Sequence, residues 1–221
     1  MRLRDVVLSV VVAGVVAVWL TMVFTSRDQV GPRRYFNTKN LNAIHNGFNQ
    51  HALNNKGYYP GLDASGTVVH STLSEQFAVT LNAGLFEPDT LISPVDTHHE
   101  EAVRTGEGYE VTSENHSYAG LSLTEPGGRR DAWSSTGSAE EIVLADRNTG
   151  FDSYYAESVW VGEGQGYWRG SVVRNDGSVE FETTHILSTS YAKRESKQSW
   201  VWENDNLFEA VGPHDAWLVH D

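Results

Sequence analysis

Hydrophobic and polar positions change rhythm as this chain proceeds. Val6 to Phe24, VVLSVVVAGVVAVWLTMVF, is nineteen residues without a charge. As a helix at about 1.5 Å per residue it is ~28 Å long, enough to cross a hydrocarbon core of about 30 Å, so a transmembrane helix is expected over residues 6–24. Beyond Gly31-Pro32, a kink or helix start, Leu41, Ile44, Phe48 and Ala52 fall at three- and four-residue intervals. That spacing predicts an amphipathic helix stopped by Asn54-Asn55-Lys56-Gly57. A second helix is expected in Ser71 to Phe86, entered through Ser71 or Thr72 as N-cap and left at Gly84.

Further along, the period drops to two. Strands are expected around Ser117 to Ser122, at Glu141 to Ala145 and at Tyr155 to Gly162. VVRNDGSVEF (172–181) reads as a hairpin, because Asn175, Asp176 and Gly177 tolerate the positive φ of tight turns while Val179 and Phe181 alternate with polar neighbours. SWVWEN (199–204) alternates as well, which places Trp200 and Trp202 on one face of a strand. Helices first and strands later predict an α+β fold.

Composition narrows the function. The 221 residues leave room for one anchor and one domain with a genuine core. The formal charge is −13, but residues 41–221 alone carry ten Lys/Arg against twenty-seven Asp/Glu, a net −17. So acidic a body repels nucleic acid, and no nucleic-acid partner is expected. The absence of cysteine excludes disulfides, thiolate metal sites and cysteine nucleophiles. The apolar run exceeds the roughly 7–15 residues of a signal-peptide core and no small-x-small site follows it, so an uncleaved anchor is expected. With five residues before the span and nearly everything after it, the amino terminus is expected in the cytoplasm and the body outside it.

Candidate chemistry is sparse. DTHHEE (96–101) gathers histidines and carboxylates suited to a transition metal, which makes His98 and His99 candidate ligands, although a solvated loop is the plainer account. Asp146 and Asp152, in ADRNTGFDS, offer oxygens to calcium without matching the EF-hand pattern. No G-x-S-x-G, P-loop or Rossmann fingerprint is present, so catalysis is not expected. Trp160, Trp168, Trp200, Trp202 and Trp217 could stack on sugar rings or equally pack a core.

Several segments fall in an order similar to a known family. NLNAIHNGFNQHALNNKGYYP (40–60) follows the apolar helix; GLFEPDTLISPVDTHHEE (84–101) then leads to NHSYAG (115–120), and EIVLADRN (141–148) to RNDGSVEF (174–181). In this order the chain resembles bacterial type II secretion pseudopilins and type IV pilin-like proteins, in particular the branch with a His, nine residues and Asp-Gly. It departs from them in two places. MRLRDVVLSV lacks the Gly-Phe-Thr-Leu-x-Glu processing motif, and the signature histidine position before Asp176-Gly177 is Gly166.

The resemblance implies a transmembrane helix continuing into a helix packed on an antiparallel β-sheet, with the hairpin at Asn175, Asp176 and Gly177 helping to build that sheet. The implied organisation is a short cytoplasmic tail (1–5), the span (6–24), a linker and amphipathic helix (25–56) and an extracytoplasmic β-rich head (57–221). The implied role is structural, in a secretion or surface-fibre system of the inner membrane, with other pilin-like subunits or secretion-machinery proteins as partners and no cofactor. The alternative is a tethered binding module for glycan or calcium that does not polymerise.

Overall fold

The computed structural model describes residues 30–123, 132–150, 153, 155–161, 164–192, 199–210 and 216–221. The expected span at 6–24 and Asp152 lie outside them. Among the described residues no helix is long and apolar enough to cross a membrane. The chain divides into two compact units, Met1–Phe36 and Asn37–Asp221. Of the first, only the opening turns of helix α1 (Val30–Asn54) are described.

The second unit is α+β. The expected stripe is where it should be: Leu41, Ile44, Phe48 and Ala52 are fully buried, in one core with Tyr118, Ala119, Leu144, Val172 and Val173 of the sheet. Phe48 meets Phe77 in a stacked contact and Trp133 edge-on, at centroid distances of 6.0 and 5.4 Å. Helix α1 ends in a six-to-one bond from Gly57 N–H to Ala52 O of 2.8 Å. Both Lys56 (φ 52°) and Gly57 (φ 89°) turn left-handed there, so the stop is shared by a lysine where glycine alone was expected.

Helix α2 (Leu73–Asn82) is shorter than the expected 71–86. Thr72 is its N-cap, in a capping box with Glu75, and Gly84 closes it with φ 68° as Leu85 N–H returns to Thr80 O. Tight turns at Pro88–Leu91 and Ser113–Asn115 and the small hairpin β1 (Arg104–Thr105) and β2 (Gly108–Tyr109) lead towards the main sheet.

That sheet has five antiparallel strands: β3 (Tyr118–Leu121), β4 (Ile142–Asp146), β5 (Gly170–Arg174), β6 (Val179–Glu182) and β9 (Leu218–Val219), in the order β6-β5-β4-β3-β9. β3 and β4 are buried at every position, so both faces of the sheet centre are covered. Alternation assigns Tyr118, Leu144, Asp146, Ser171 and Val173 to the α1 side. Helix α2 approaches β3 closely: a Cβ on Gly120 would sit 2.6 Å from Leu73 Cδ1. A separate ribbon pairs β7 (Ile186–Ala192) with β8 (Ser199–Asn206).

Two expectations change. The strand expected at Tyr155 to Gly162 is absent from its described part, 155–161, which is turn and irregular backbone. Its alternation serves tertiary anchoring: Trp160 Nε1 donates to Asp146 Oδ2 at 2.7 Å, and the Arg169 guanidinium bonds Trp160 O at 2.8 Å. In the β5–β6 hairpin, only Gly177 takes a positive φ, 86°. Gly177 N–H donates to Arg174 O and Arg174 N–H to Ser178 O, both at 2.9 Å; this is a turn closed by a left-handed glycine, which relieves Asn175 and Asp176 of that duty.

Candidate functional site

Three polar clusters and one cleft concentrate the chemistry of the second unit. The first surrounds Asp146, fully buried at the end of β4. Asn37 Nδ2 donates to its two oxygens at 3.0 and 3.1 Å, and to Ser171 Oγ at 3.0 Å. Ser171 N–H and Trp160 Nε1 donate to Asp146 Oδ2 at 2.6 and 2.7 Å. Tyr118 Oη donates to Asn37 Oδ1 at 3.0 Å, closing the cluster. Burial pushes the Asp146 carboxyl up, bonds from Ser171, Asn37 and Trp160 pull it back, and it rests at about 6. Its oxygens face N–H donors, a setting opposite to the one a calcium ion requires.

The second cluster contains the expected histidines. His98 is exposed, and its backbone N–H donates to Asp96 Oδ1 at 3.2 Å. His99 Nδ1 lies 3.0 Å from Asp96 Oδ2, which also takes Arg147 Nε at 3.2 Å. Burial raises the Asp96 carboxyl, but bonds from His99 and the His98 N–H and the Arg147 charge overcome this and hold it well below the usual carboxylate range. His99 continues into a histidine stack, 5.8 Å from His220, which is 4.5 Å from His116. Burial lowers His116 to about 3 and His220 to about 4.

Ser74 Oγ is 3.1 Å from His116 Nε2, which invites comparison with a nucleophile and its base. The geometry opposes that use. Ser74 Oγ also donates to Asp221 O, His116 Nδ1 faces Tyr118 O at 3.0 Å where an orienting carboxylate would be needed, and His116 is completely buried. Among the described residues, no three His, Asp or Glu side chains come together to hold a metal ion.

The third cluster joins α1 to the β5–β6 hairpin. Tyr59 Oη donates to Asn175 Oδ1 at 2.6 Å, and Asn175 Nδ2 to Ser134 O at 3.1 Å. His45 Nε2 lies 3.3 Å from the same Tyr59 hydroxyl. Burial lowers His45, while the Asp176 charge partly offsets this. Asp176 Oδ1 accepts from Ser178 N–H at 2.8 Å. Asn175 is therefore present for its buried side chain.

An open cleft of about 1120 Å³ is lined by Asp96, His98, Arg147, Tyr155, Glu157 and Val161, among others. Glu157 receives the Gly166 and Gly164 N–H groups at 2.6 and 3.1 Å, so it shapes a loop. The structure thus brings His98 and Asp96 to the cleft, puts His99 behind them and leaves Asp146 in the core. Of the proposed tryptophan platform, Trp160 and Trp168 are buried and Trp202 and Trp217 half-buried, which fits packing. Sequence reasoning missed Asn37, His116, His220 and Trp133. Only distant contacts mark the first three; Trp133, whose Nε1 donates to Pro60 O at 2.6 Å, offered its size as a signal.

Compared with known proteins, the chain matches no family model, no curated protein and no solved structure.

Proposed function

We propose that this protein is a membrane-anchored, pilin-like structural subunit of a secretion or surface-fibre system. Residues 6–24 would form its single span, with the body outside the cytoplasmic membrane. The observation that supports this most is the α1 stripe: Leu41, Ile44, Phe48 and Ala52 are all fully buried in the core that also holds β3, β4 and β5. A helix clasped by an antiparallel sheet is the arrangement that the pseudopilin resemblance calls for. The Asn175-Asp176-Gly177 hairpin supplies one margin of that sheet, and its partners would be other pilin-like subunits or secretion-machinery proteins.

Mass spectrometry of the cellular protein tests the reading, together with a search for it in detergent-free surface fibres. A trimmed, methylated terminus within the first ten residues and presence in fibres is the expected result. An intact Met1 and absence from fibres would overturn it in favour of a tethered binding module. The cleft beside Tyr155 is the observation behind that alternative, as is the missing processing motif in MRLRDVVLSV.

A further inference from the structure

The opening turns of α1 carry a patch that assembly through the sheet-bearing body does not use. Tyr35 and Phe36 are 67% and 51% exposed, with ring centroids 5.6 Å apart in an edge contact. Arg33 and Arg34, next to them, are exposed too. Aromatic rings beside arginines suit a membrane–water interface, where the rings settle among headgroups and the cationic tips reach phosphates.

Chain length and charge both point to that surface. The charge-free run ends at Phe24 and α1 begins at Val30, leaving five residues, 25–29, between them. Fully extended, such a linker spans at most about 18 Å. Residues 25–40 carry Arg27, Arg33, Arg34 and Lys39 against Asp28 alone, whereas residues 41–221 are net −17. The cationic stretch adjoining the apolar run is complementary to an anionic leaflet, and the acidic remainder is not.

We propose that residues 33–36 form an interfacial collar, in which Tyr35 and Phe36 lie among the headgroups of the bilayer and Arg33 and Arg34 bind the phosphates of anionic phospholipids. This rests on the reading of residues 6–24 as a span. It adds a geometric demand. An unbroken upright helix would lift Phe36 about 18 Å above Phe24, beyond a headgroup layer of roughly 5–8 Å. The chain must therefore turn away from the membrane normal between the span and the collar.

Because the chain has no cysteine, single labels are straightforward. Full-length protein carrying Tyr35→Cys or Val69→Cys, each with a polarity-sensitive fluorophore, is reconstituted in phosphatidylcholine vesicles with and without phosphatidylglycerol. Val69, 54% exposed, is the aqueous reference. Headgroup-nitroxide lipid should quench the Tyr35→Cys label about threefold more than the reference, more so with phosphatidylglycerol, and Arg33→Gln with Arg34→Gln should remove that lipid dependence. Vesicles that float with the protein while the Tyr35→Cys label stays as water-exposed as the reference would overturn the collar and leave the span standing. Protein that fails to float would overturn both.

Discussion

Asp146 and Asp96 are both buried carboxylates, yet they are held in opposite electrostatic states. Asp146 is surrounded by neutral donors, Asn37, Trp160 and the Ser171 N–H, and its carboxyl rises to about 6. Asp96 has the Arg147 guanidinium at 3.2 Å and His99 at 3.0 Å, and its carboxyl falls well below the usual range. Hydrogen bonds alone do not fully replace water around a buried charge; a nearby cation tips the balance. The first carboxylate costs stability near neutrality in exchange for geometry. The second is stabilised as an anion at the rim of the cleft.

The largest effect should come from emptying the Asp146 site. Asp146→Ala would strand the Trp160 Nε1, Ser171 N–H and Asn37 donors in the core and should cost about 3–5 kcal/mol in urea unfolding; a loss under 1 kcal/mol would show that the cluster does not hold the helix to the sheet. Next comes pH. A carboxyl raised from 3.8 to about 6 favours the fold below the unfolded value, and that contribution disappears as pH rises through 6, worth about 3 kcal/mol by pH 7. The stability difference between wild type and Asp146→Asn should therefore change by about that amount from pH 4 to pH 7. A flat difference would reject the raised carboxyl.

Asp96 should behave in the contrary sense. Its lowered carboxyl gives stability that is present above the unfolded value near 3.8 and lost only as pH falls through the still lower folded value. Asp96→Asn should cost about 2 kcal/mol with little change between pH 5 and 7, because Arg147 and His99 lose their anion; a pronounced slope in that window would contradict the pairing. His116 and His220 add a background to both series. Held neutral, near 3 and 4, they lower stability as pH falls below about 6.5, where the unfolded chain takes up protons first. The smallest effect lies away from both carboxylates: Gly177→Ala, at φ 86°, should cost about 1 kcal/mol by thermal denaturation.

Periodicity made the scaffold legible. Leu41, Ile44, Phe48 and Ala52 declared their face at helical spacing, and Thr72, Gly84 and Gly177 announced a cap, an exit and a turn through local backbone chemistry. Where side chains act at a distance, that legibility ended. Asn37 finds Asp146 across 109 positions, and His99, His116 and His220 meet only because β9 lies beside β3. The Tyr155 to Gly162 segment alternates like a strand, but Trp160 is drawn inward by Asp146. His98 and His99 were visible as residues, while their shared attachment to Asp96 was not.

Asn37 also has a mechanical meaning. Its amide bonds Asp146 of β4 and Ser171 of β5 and accepts the hydroxyl of Tyr118 on β3. Sliding the helix by one turn, about 5.4 Å, would withdraw every one of these contacts together. Tension drawn along the helix axis would thus meet a latch that yields all at once, and the body would bear a pull until that point without creeping.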